Sequence, residues 1–208
     1  MRDQLKQAII DGNADTATAL TSALIATGAS AREILDEALL PGMDVVGNRM
    51  RDGDCFIPEV LLSARVMQAC LDLLRPHMAA GDEAGGGTIV IGTVEGDLHD
   101  IGKNLVGMLL QGAGFTVVNL GTGVTSADFV AAVKEHSAKI LGMSALLTTT
   151  LPHMSETIAL LKEAGLRQSV KVMVGGAPVT AAYAEEIGAD GYGANAGMAV
   201  ERAKELVS

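Results

Sequence analysis

The chain has 208 residues and carries 15 lysines and arginines against 25 aspartates and glutamates, a formal net charge of −10. Hydrophobic residues make up 49% of it, enough for a folded core, whereas aromatic residues make up only 2%. This balance argues against nucleic-acid binding, because phosphates require clustered cations and single strands are usually held by stacking rings. The sequence has no apolar run long enough to span a membrane and no secretory leader, so we expect a cytoplasmic protein with no membrane partner.

The first part of the chain has the apolar spacing of helices. Helices are predicted near residues 2–11, 14–27, 31–51 and 58–79. Pro41 and Gly42 are expected to kink or split the third helix. We interpret residues 1–80 as an all-α four-helix bundle and the small, polar residues 81–87 as a linker.

From residue 88 to residue 208 the pattern changes to short β-rich runs that alternate with helical stretches. The predicted strands are 88–94, 115–120, 138–144, 170–176 and 190–193, and the predicted helices lie near 101–113, 126–137, 153–165, 178–187 and 197–207. Continuous Val and Ile runs favour a parallel sheet that is covered on both faces. Five βα units in series predict an α/β domain with a flavodoxin-like, doubly wound, five-stranded parallel sheet, preceded by the helical bundle.

Open α/β sheets bind ligands at the carboxyl ends of their strands, and one unusual residue, His99, follows the first strand. A histidine that ligates a metal commonly donates its other ring N–H to a carboxylate, and Asp97 lies two residues earlier. Ser144, at the end of the third strand, is placed to bond Asp97 in turn. No second histidine or cysteine lies nearby to complete a zinc site. A metal held here would take its other ligands from elsewhere, for example from a macrocycle.

Three motifs in order resemble the signature of cobalamin-binding proteins: Asp97–Gly102 (DLHDIG), Ser144–Leu146 (SAL) and the pair Gly175–Gly176. In the amino-terminal half, Phe56–Val60 (FIPEV) and Ser63–Met67 (SARVM) resemble the helical cap of cobalamin-dependent methionine synthase and of corrinoid methyl-carrier proteins. The resemblance covers essentially the whole chain. The family that the chain thus resembles is that of the corrinoid proteins of methyltransferase systems.

The resemblance implies a bound corrinoid (cobalamin) whose own lower base is detached. His99 would be the axial ligand of cobalt, with Asp97 and Ser144 forming a relay behind it. The residues expected to contact the cofactor and its nucleotide tail are Asp100, Ile101, Gly102, Ser144, Leu146, Thr148, Gly175 and Gly176, with Gly191 and Tyr192 near the end of the tail. The helical cap would cover the upper face of cobalt through Phe56, Met50 and Val60.

The function implied by the resemblance is a methyl shuttle. The cofactor, with methyl or hydroxo as its upper ligand, would carry a methyl group from a substrate-specific methyltransferase to a second methyltransferase that acts on tetrahydrofolate or a thiol. A reductive activase is a further expected partner, and the chain is expected to work as a subunit that does not turn over alone. Two alternatives use a similar binding domain, namely a cobalamin-dependent sensor or regulator and the subunit of an adenosylcobalamin mutase.

Simpler structural readings stand beside these expectations. His99 and Asp97 can be a polar loop residue and a turn residue, and Gly175–Gly176 can be a tight turn. Phe56 can simply fill the bundle. Thr148–Thr150 can be the entry to a helix, with one of the hydroxyls as its N-cap.

Overall fold

The computed structural model describes residues 1–77 and 86–207. The chain forms two compact units: one comprises Met1–Gly86 with Gln111–Phe115, and the other comprises Gly87–Leu110 with Thr116–Ser208. The predicted linker, 81–87, lies mostly outside the described residues, so the domain boundary stays a prediction. Within the described ranges, no helix is both long and apolar enough to cross a bilayer.

The first unit is helical, as predicted. Its elements are α1 (Arg2–Ile10), α2 (Ala14–Ala26), α3 (Ala31–Ile34), a π-helical turn (Leu35–Leu39), α4 (Leu40–Asp52), α5 (Ile57–Leu74) and a 3-10 turn (Arg75–His77). The side chain of Asn13 accepts the N–H of Thr16 at the start of α2. Gly53 ends α4 with a φ of 82°, a left-handed conformation that glycine adopts at little cost. Apolar side chains of these helices form a common buried core.

The helix that contains Pro41 continues through the proline instead of splitting there. Proline cannot donate a hydrogen bond to the preceding turn, and its ring crowds that turn's carbonyl. The turn before it is widened into the π-helical segment Leu35–Leu39, in which the N–H of Leu40 reaches the carbonyl of Leu35. The helical path then runs on to Asp52, so the expected distortion takes the form of a π turn.

The second unit contains a five-stranded, all-parallel sheet. Its strands are β1 (Thr88–Thr93), β2 (Thr116–Asn119), β3 (Ile140–Ser144), β4 (Lys171–Gly175) and β5 (Gly191–Gly193), and its helices are α6 (Ile101–Gly112), α7 (Ser126–Glu135), α8 (Pro152–Glu163), α9 (Ala181–Glu186) and α10 (Ala196–Val207). The strand order is β2-β1-β3-β4-β5, which is the flavodoxin-like order. The predicted fold class is confirmed.

Strand order and register define where a ligand can bind. The order reverses between β1 and β3, so the crevice of this sheet lies at the carboxyl ends of these two strands. The last residues of the strands form one row, in which Thr93 pairs with Ser144, Ser144 with Gly175, and Gly175 with Gly193. Ser144 and Gly175, two of the predicted site residues, therefore lie side by side at this edge.

Candidate functional site

The loop after β1 opens with a tight turn. The N–H of Asp97 donates to the carbonyl of Val94 at 3.1 Å, and Gly96 has a φ of 77°. A positive φ at the third position suits a type II turn and favours glycine there. The carbonyl of Asp97 accepts the N–H of Gly123 from the loop after β2. The backbone of Asp97 is thus fixed on both sides.

The carboxylate of Asp97 is fully buried, and both of its oxygens are hydrogen-bonded. Oδ1 accepts the backbone N–H of His99 at 3.0 Å and lies 2.7 Å from Nδ1 of the same residue. Oδ2 accepts the N–H groups of Leu146 and Leu147 at 2.6 and 3.1 Å. The hydroxyl of Thr150 lies 3.3 Å from Oδ2. One carboxylate therefore joins the loop after β1 to the loop after β3.

These contacts determine the charge of Asp97 and the tautomer of His99. Burial acts to raise the pKa of Asp97, but the N–H groups of His99 and Leu146, the His99 ring and the N–H of Leu147 together hold that pKa well below its usual range. An ionised carboxylate only accepts hydrogen bonds. The neutral ring of His99 must therefore carry its proton on Nδ1, which leaves the lone pair on Nε2.

His99 presents this nitrogen to the outside. Its side chain is 53% exposed, although the carboxylate behind it is completely buried. The hydroxyl of Thr93, at the end of β1, donates to the carbonyl of His99 at 2.9 Å and fixes the backbone of the loop. Among the residues that the structure describes, no group of three His, Cys, Asp or Glu side chains is placed to hold a metal ion. A metal bound at His99 would therefore have to take its other ligands from outside this set of side chains.

Large apolar side chains are exposed on the two loops that Asp97 connects. Leu98, directly before His99, and Ile101, at the start of α6, are 78% and 86% exposed. Leu146 and Leu147 follow β3 and are also exposed. Exposed apolar groups gathered near one polar ligand suit the face of a large, flat cofactor. Leu98 and Leu147 were not predicted; two apolar residues in loops that usually hold polar ones were the available signal.

The packing of the protein requires glycine at position 176 but does not require it at position 102. A Cβ on Gly176 would lie 1.9 Å from the carbonyl oxygen of Ala145, and its φ is 121°, so the fold itself requires glycine there. A Cβ on Gly102, in the first turn of α6, would meet no atom within 4 Å. Because glycine weakens a helix relative to alanine, the packing of the protein does not explain Gly102. The open space fits the close approach of a ligand.

The structure places Ser144 beside the site but does not form the expected relay. Ser144 ends β3 and is half-buried. In the described part of the chain its hydroxyl makes no hydrogen bond, and Oδ2 of Asp97 accepts the amides of Leu146 and Leu147 instead. The partner that lies near this oxygen is the hydroxyl of Thr150, which sequence reasoning missed. A role of Ser144 toward the cofactor stays a prediction.

The three threonines after β3 have separate environments. Thr148–Thr150 form a 3-10 turn, and α8 begins after Leu151 without a side-chain cap. The reading of one threonine hydroxyl as the N-cap is therefore wrong. Thr148, expected beside the nucleotide tail, and Thr149 are exposed, whereas Thr150 is buried. Their linear spacing gives no sign of this difference, since it depends on the 3-10 turn.

Asp100 belongs to a polar network that ties α6 to the end of β2. Its Oδ2 accepts the side-chain amide of Asn104 at 2.9 Å. The ammonium of Lys103 donates to the amide oxygens of Asn104 and Asn119, each at 2.7 Å. Lys103 is almost completely buried, and this burial lowers its pKa. The carboxylate of Asp100 thus has an internal partner, and its contact with the cofactor stays a prediction.

The glycines toward the far strands are explained largely by packing. A Cβ on Gly175 would lie 3.0 Å from the carbonyl oxygen of Gly193, and one on Gly191 would lie 2.9 Å from Cγ of Arg202. Tyr192, which follows Gly191 in β5, is half-buried. Their expected place along the nucleotide tail stays a prediction.

The residues expected above cobalt lie in the helical unit. Phe56 precedes α5 and is 72% exposed, so it does not fill the core of the bundle. Met50, near the end of α4, is half-buried. Val60 is only 1% exposed, and a ligand could reach it only if its surroundings opened. Contact of these residues with a cofactor stays a prediction.

The fold and the site define a class: a flavodoxin-like α/β domain that presents one carboxylate-oriented imidazole at its switch point. Two families, each described as a B12 binding domain, match the chain, one over residues 87–201 and the other over residues 1–75. The chain belongs to the corrinoid proteins of methyltransferase systems, and its cofactor is a corrinoid.

Three relatives illustrate this membership. A corrinoid protein of Desulfitobacterium hafniense is 43% identical over 99% of this chain and 96% of its own length. Dimethylamine corrinoid protein 3 of Methanosarcina acetivorans is 50% identical over 84% of this chain and 82% of its own length. The crystal structure of the methanol:cobalamin methyltransferase complex of Methanosarcina barkeri contains a chain with a TM-score of 0.88 and 32% identity, covering 98% of this chain and 78% of that one.

Proposed function

We propose that the chain binds cobalamin with the cofactor's own base detached and with Nε2 of His99 as the lower ligand of cobalt. The observation that supports this most strongly is the pairing of a buried, ionised carboxylate with a half-exposed imidazole: Asp97 holds Nδ1 of His99 at 2.7 Å. A carboxylate behind a ligating histidine fixes the tautomer and raises the basicity of the other nitrogen.

The protein's own residues orient and surround this ligand. Thr93 fixes the backbone of His99, and Asp97 fixes its ring. Ile101, Leu98 and the leucines after β3 offer apolar contact beside the imidazole, and Gly102 leaves room for the cofactor to approach α6. When bound, the corrinoid supplies the methyl-accepting and methyl-donating cobalt centre, which is the difficult part of the chemistry.

The proposed role of the loaded protein is to shuttle a methyl group between two partners. One is a methyltransferase specific for the methyl donor, and the other passes the group to tetrahydrofolate or a thiol. A reductive activase would restore cobalt after accidental oxidation. We propose a methylated amine as the donor to test first, because dimethylamine corrinoid proteins of Methanosarcina are 49–50% identical to this chain over more than four fifths of its length. Methanol is the second donor to test, on the ground of the related methanol:cobalamin methyltransferase complex.

In the helical unit, Phe56 is the main candidate for contact with the cofactor. An aromatic side chain that is 72% exposed is available to a ligand or a partner. We propose that it contacts the upper, methyl-bearing face of the cofactor. Met50 is a further candidate for that face.

Binding of hydroxocobalamin tests the proposal. The purified chain should stay coloured after desalting, with an absorption spectrum of a histidine-ligated rather than a base-ligated form. After chemical reduction of the bound cofactor to the Co(I) state with titanium(III) citrate, added dimethylamine or methanol with its cognate methyltransferase should change the spectrum to that of the methylated cofactor. A preparation that keeps the cofactor's own base on cobalt would contradict His99 as ligand. Selective retention of adenosylcobalamin would contradict the shuttle and favour a regulator or a mutase subunit.

A further inference from the structure

Lys103, in the first turn of α6, is a buried ammonium whose direct partners are neutral. The residue is 5% exposed, and its Nζ donates to the amide oxygens of Asn104 and Asn119, each at 2.7 Å. Within the described ranges no carboxylate forms an ion pair with it. The carboxylate of Asp100 attracts the ammonium, but it accepts the side-chain amide of Asn104 instead of touching Lys103. The positive charge is therefore not cancelled at contact by a negative one.

Hydrogen bonding within the fold does not require this charge. Taking an ion out of water is costly, and replacing a buried charge with an apolar side chain of similar volume is often neutral or stabilising. The two amide oxygens would each keep a donor without the ammonium. That of Asn104 also accepts the side-chain N–H of Asn119, and that of Asn119 also accepts the N–H of Gly121, each at 3.0 Å. The stability of the protein thus gives no reason for an ammonium at this position.

The charge lies close to the proposed cobalt ligand. His99 and Lys103 are four positions apart, so their Cα atoms lie at most about 14 Å from each other. Gly102, directly before Lys103, faces open space in which a ligand can approach α6. Two unit charges about 14 Å apart, at an effective dielectric constant of about 20, change an equilibrium about sevenfold. A charge in this position is therefore strong enough to act on a cofactor bound at His99.

We propose that the ammonium of Lys103 shifts the redox equilibrium of a corrinoid bound at His99 toward cobalt(I). The inference rests on the proposed function, because it takes the cofactor to be bound there. Reduction of cobalt(II) to cobalt(I) takes up one electron, supplied by a strong reductant such as titanium(III) citrate, and lowers the charge of the cobalt centre by one. A buried cation nearby favours the less positive form. Lys103 thus favours the nucleophilic state of cobalt, which is the state that accepts a methyl group.

The chain offers a matched set of variants. Lys103→Met removes the charge and keeps an unbranched side chain of similar length, whereas Lys103→Arg keeps the charge. Asn119→Asp leaves the ammonium in place and puts a carboxylate of the same shape in contact with it. Lys134→Met makes the same chemical change at an exposed lysine in the last turn of α7, where water and salt screen the charge.

The measurement is a redox titration of the cobalamin-loaded chain with titanium(III) citrate at fixed pH, in which absorbance gives the ratio of cobalt(I) to cobalt(II). At the midpoint potential of the unmodified chain, this ratio should fall about three- to tenfold in Lys103→Met and in Asn119→Asp. A tenfold fall corresponds to about 59 mV for one electron. The ratio should stay close to that of the unmodified chain in Lys103→Arg and Lys134→Met. The unfolding free energy of cofactor-free Lys103→Met should equal or exceed that of the unmodified chain.

Only a fall in both Lys103→Met and Asn119→Asp supports the inference. A fall in Lys103→Met alone would indicate a lost contact instead of a lost charge and would overturn it, as would an unchanged ratio in Lys103→Met. Should Lys103→Met fail to fold, Asn119→Asp and Lys103→Arg decide: a fall in the first without one in the second supports the inference, and any other pattern overturns it. The spectrum of the unmodified chain tests the proposed ligand separately. If it shows no histidine bound to cobalt, the proposed role of His99 is wrong, and the ratios still decide whether Lys103 acts on the cofactor.

Discussion

Two loops at the same edge of the sheet, the loop after β1 and the turn after β4, differ in what their residues contact. In the loop after β1, hydrogen bonds hold Asp97 inside while His99 and its apolar neighbours stay exposed. In the turn after β4, Gly176 lies against the carbonyl of Ala145, and the backbone packs on itself. The comparison shows that residues of one sequence signature need not share one reason. The packing of the sheet edge explains Gly176, whereas the packing of the protein does not explain the exposure of His99.

The largest effect on cofactor binding is expected when His99, in the loop after β1, is replaced. His99→Ala should abolish the histidine-ligated spectrum of bound hydroxocobalamin. The free energy of unfolding should fall by about 1–3 kcal/mol, because the buried carboxylate of Asp97 loses its hydrogen bond from the ring. His136→Ala, at an exposed histidine that follows α7, is the matched control and should leave the spectrum unchanged. A histidine-ligated spectrum that survives in His99→Ala would assign the ligand to another residue.

Changing the buried carboxylate tests the support of that ligand. Asp97→Asn replaces the ionised carboxylate with a neutral amide, so the ring of His99 loses its charged acceptor. Changes behind a metal ligand typically cost about 10–100-fold in metal affinity or activity, and we expect a loss of that size in cobalamin affinity. Equilibrium dialysis with hydroxocobalamin measures it. Affinity equal to that of the unmodified chain would separate Asp97 from cofactor binding.

Gly176→Ala tests the inward-packed turn. The new Cβ would collide with a backbone oxygen 1.9 Å away and would require a φ of 121° from alanine. We expect the free energy of unfolding to fall by about 2 kcal/mol or more, measured by urea denaturation of the cofactor-free chain. A variant as stable as the unmodified chain would show that this turn can relax, and the contrast between the two loops would weaken.

Acid tests the charge that joins the loops. Because the folded protein holds the pKa of Asp97 below its ordinary value of 3.8, the unfolded chain binds the proton more readily. The stabilising effect of the charge is therefore present above that value and is lost as the pH falls below it. The difference in unfolding free energy between the unmodified chain and Asp97→Asn should therefore shrink as the pH falls below about 4. A difference that already declines near neutral pH would contradict the lowered pKa.

Gly102→Ala is expected to change the fold least. It separates the stability of the protein from its affinity for the cofactor. The methyl group meets no protein atom and removes a glycine from a helix, so the cofactor-free chain should gain up to about 1 kcal/mol in unfolding free energy. Cobalamin affinity should fall, because the methyl group occupies space that the cofactor needs. Calorimetric unfolding and a binding titration measure the two effects. A gain in stability with unchanged affinity would place the cofactor away from Gly102.

The sequence predicts the sheet well because each strand is a continuous apolar run and each connection carries turn residues. The contact between Asp97 and His99 could also be expected, since two residues of separation in a turn bring their side chains together. The contact between Thr150 and Asp97 could not, because Thr150 lies 53 positions from Asp97 and reaches it only through a 3-10 turn. Ser144 was the natural choice from strand ends alone. The π turn before Pro41 was likewise hidden, since a proline indicates a disturbed helix but not its form.

The most direct test of the account is the electron paramagnetic resonance spectrum of the cob(II)alamin-loaded chain with histidine labelled by ¹⁵N. A nitrogen bound below cobalt splits each cobalt line, into a doublet for ¹⁵N and a triplet for ¹⁴N. The account predicts doublets in the labelled protein, which are lost in labelled His99→Ala. Triplets in the labelled protein would show that the cofactor's own base occupies the position, and would contradict His99 as the ligand.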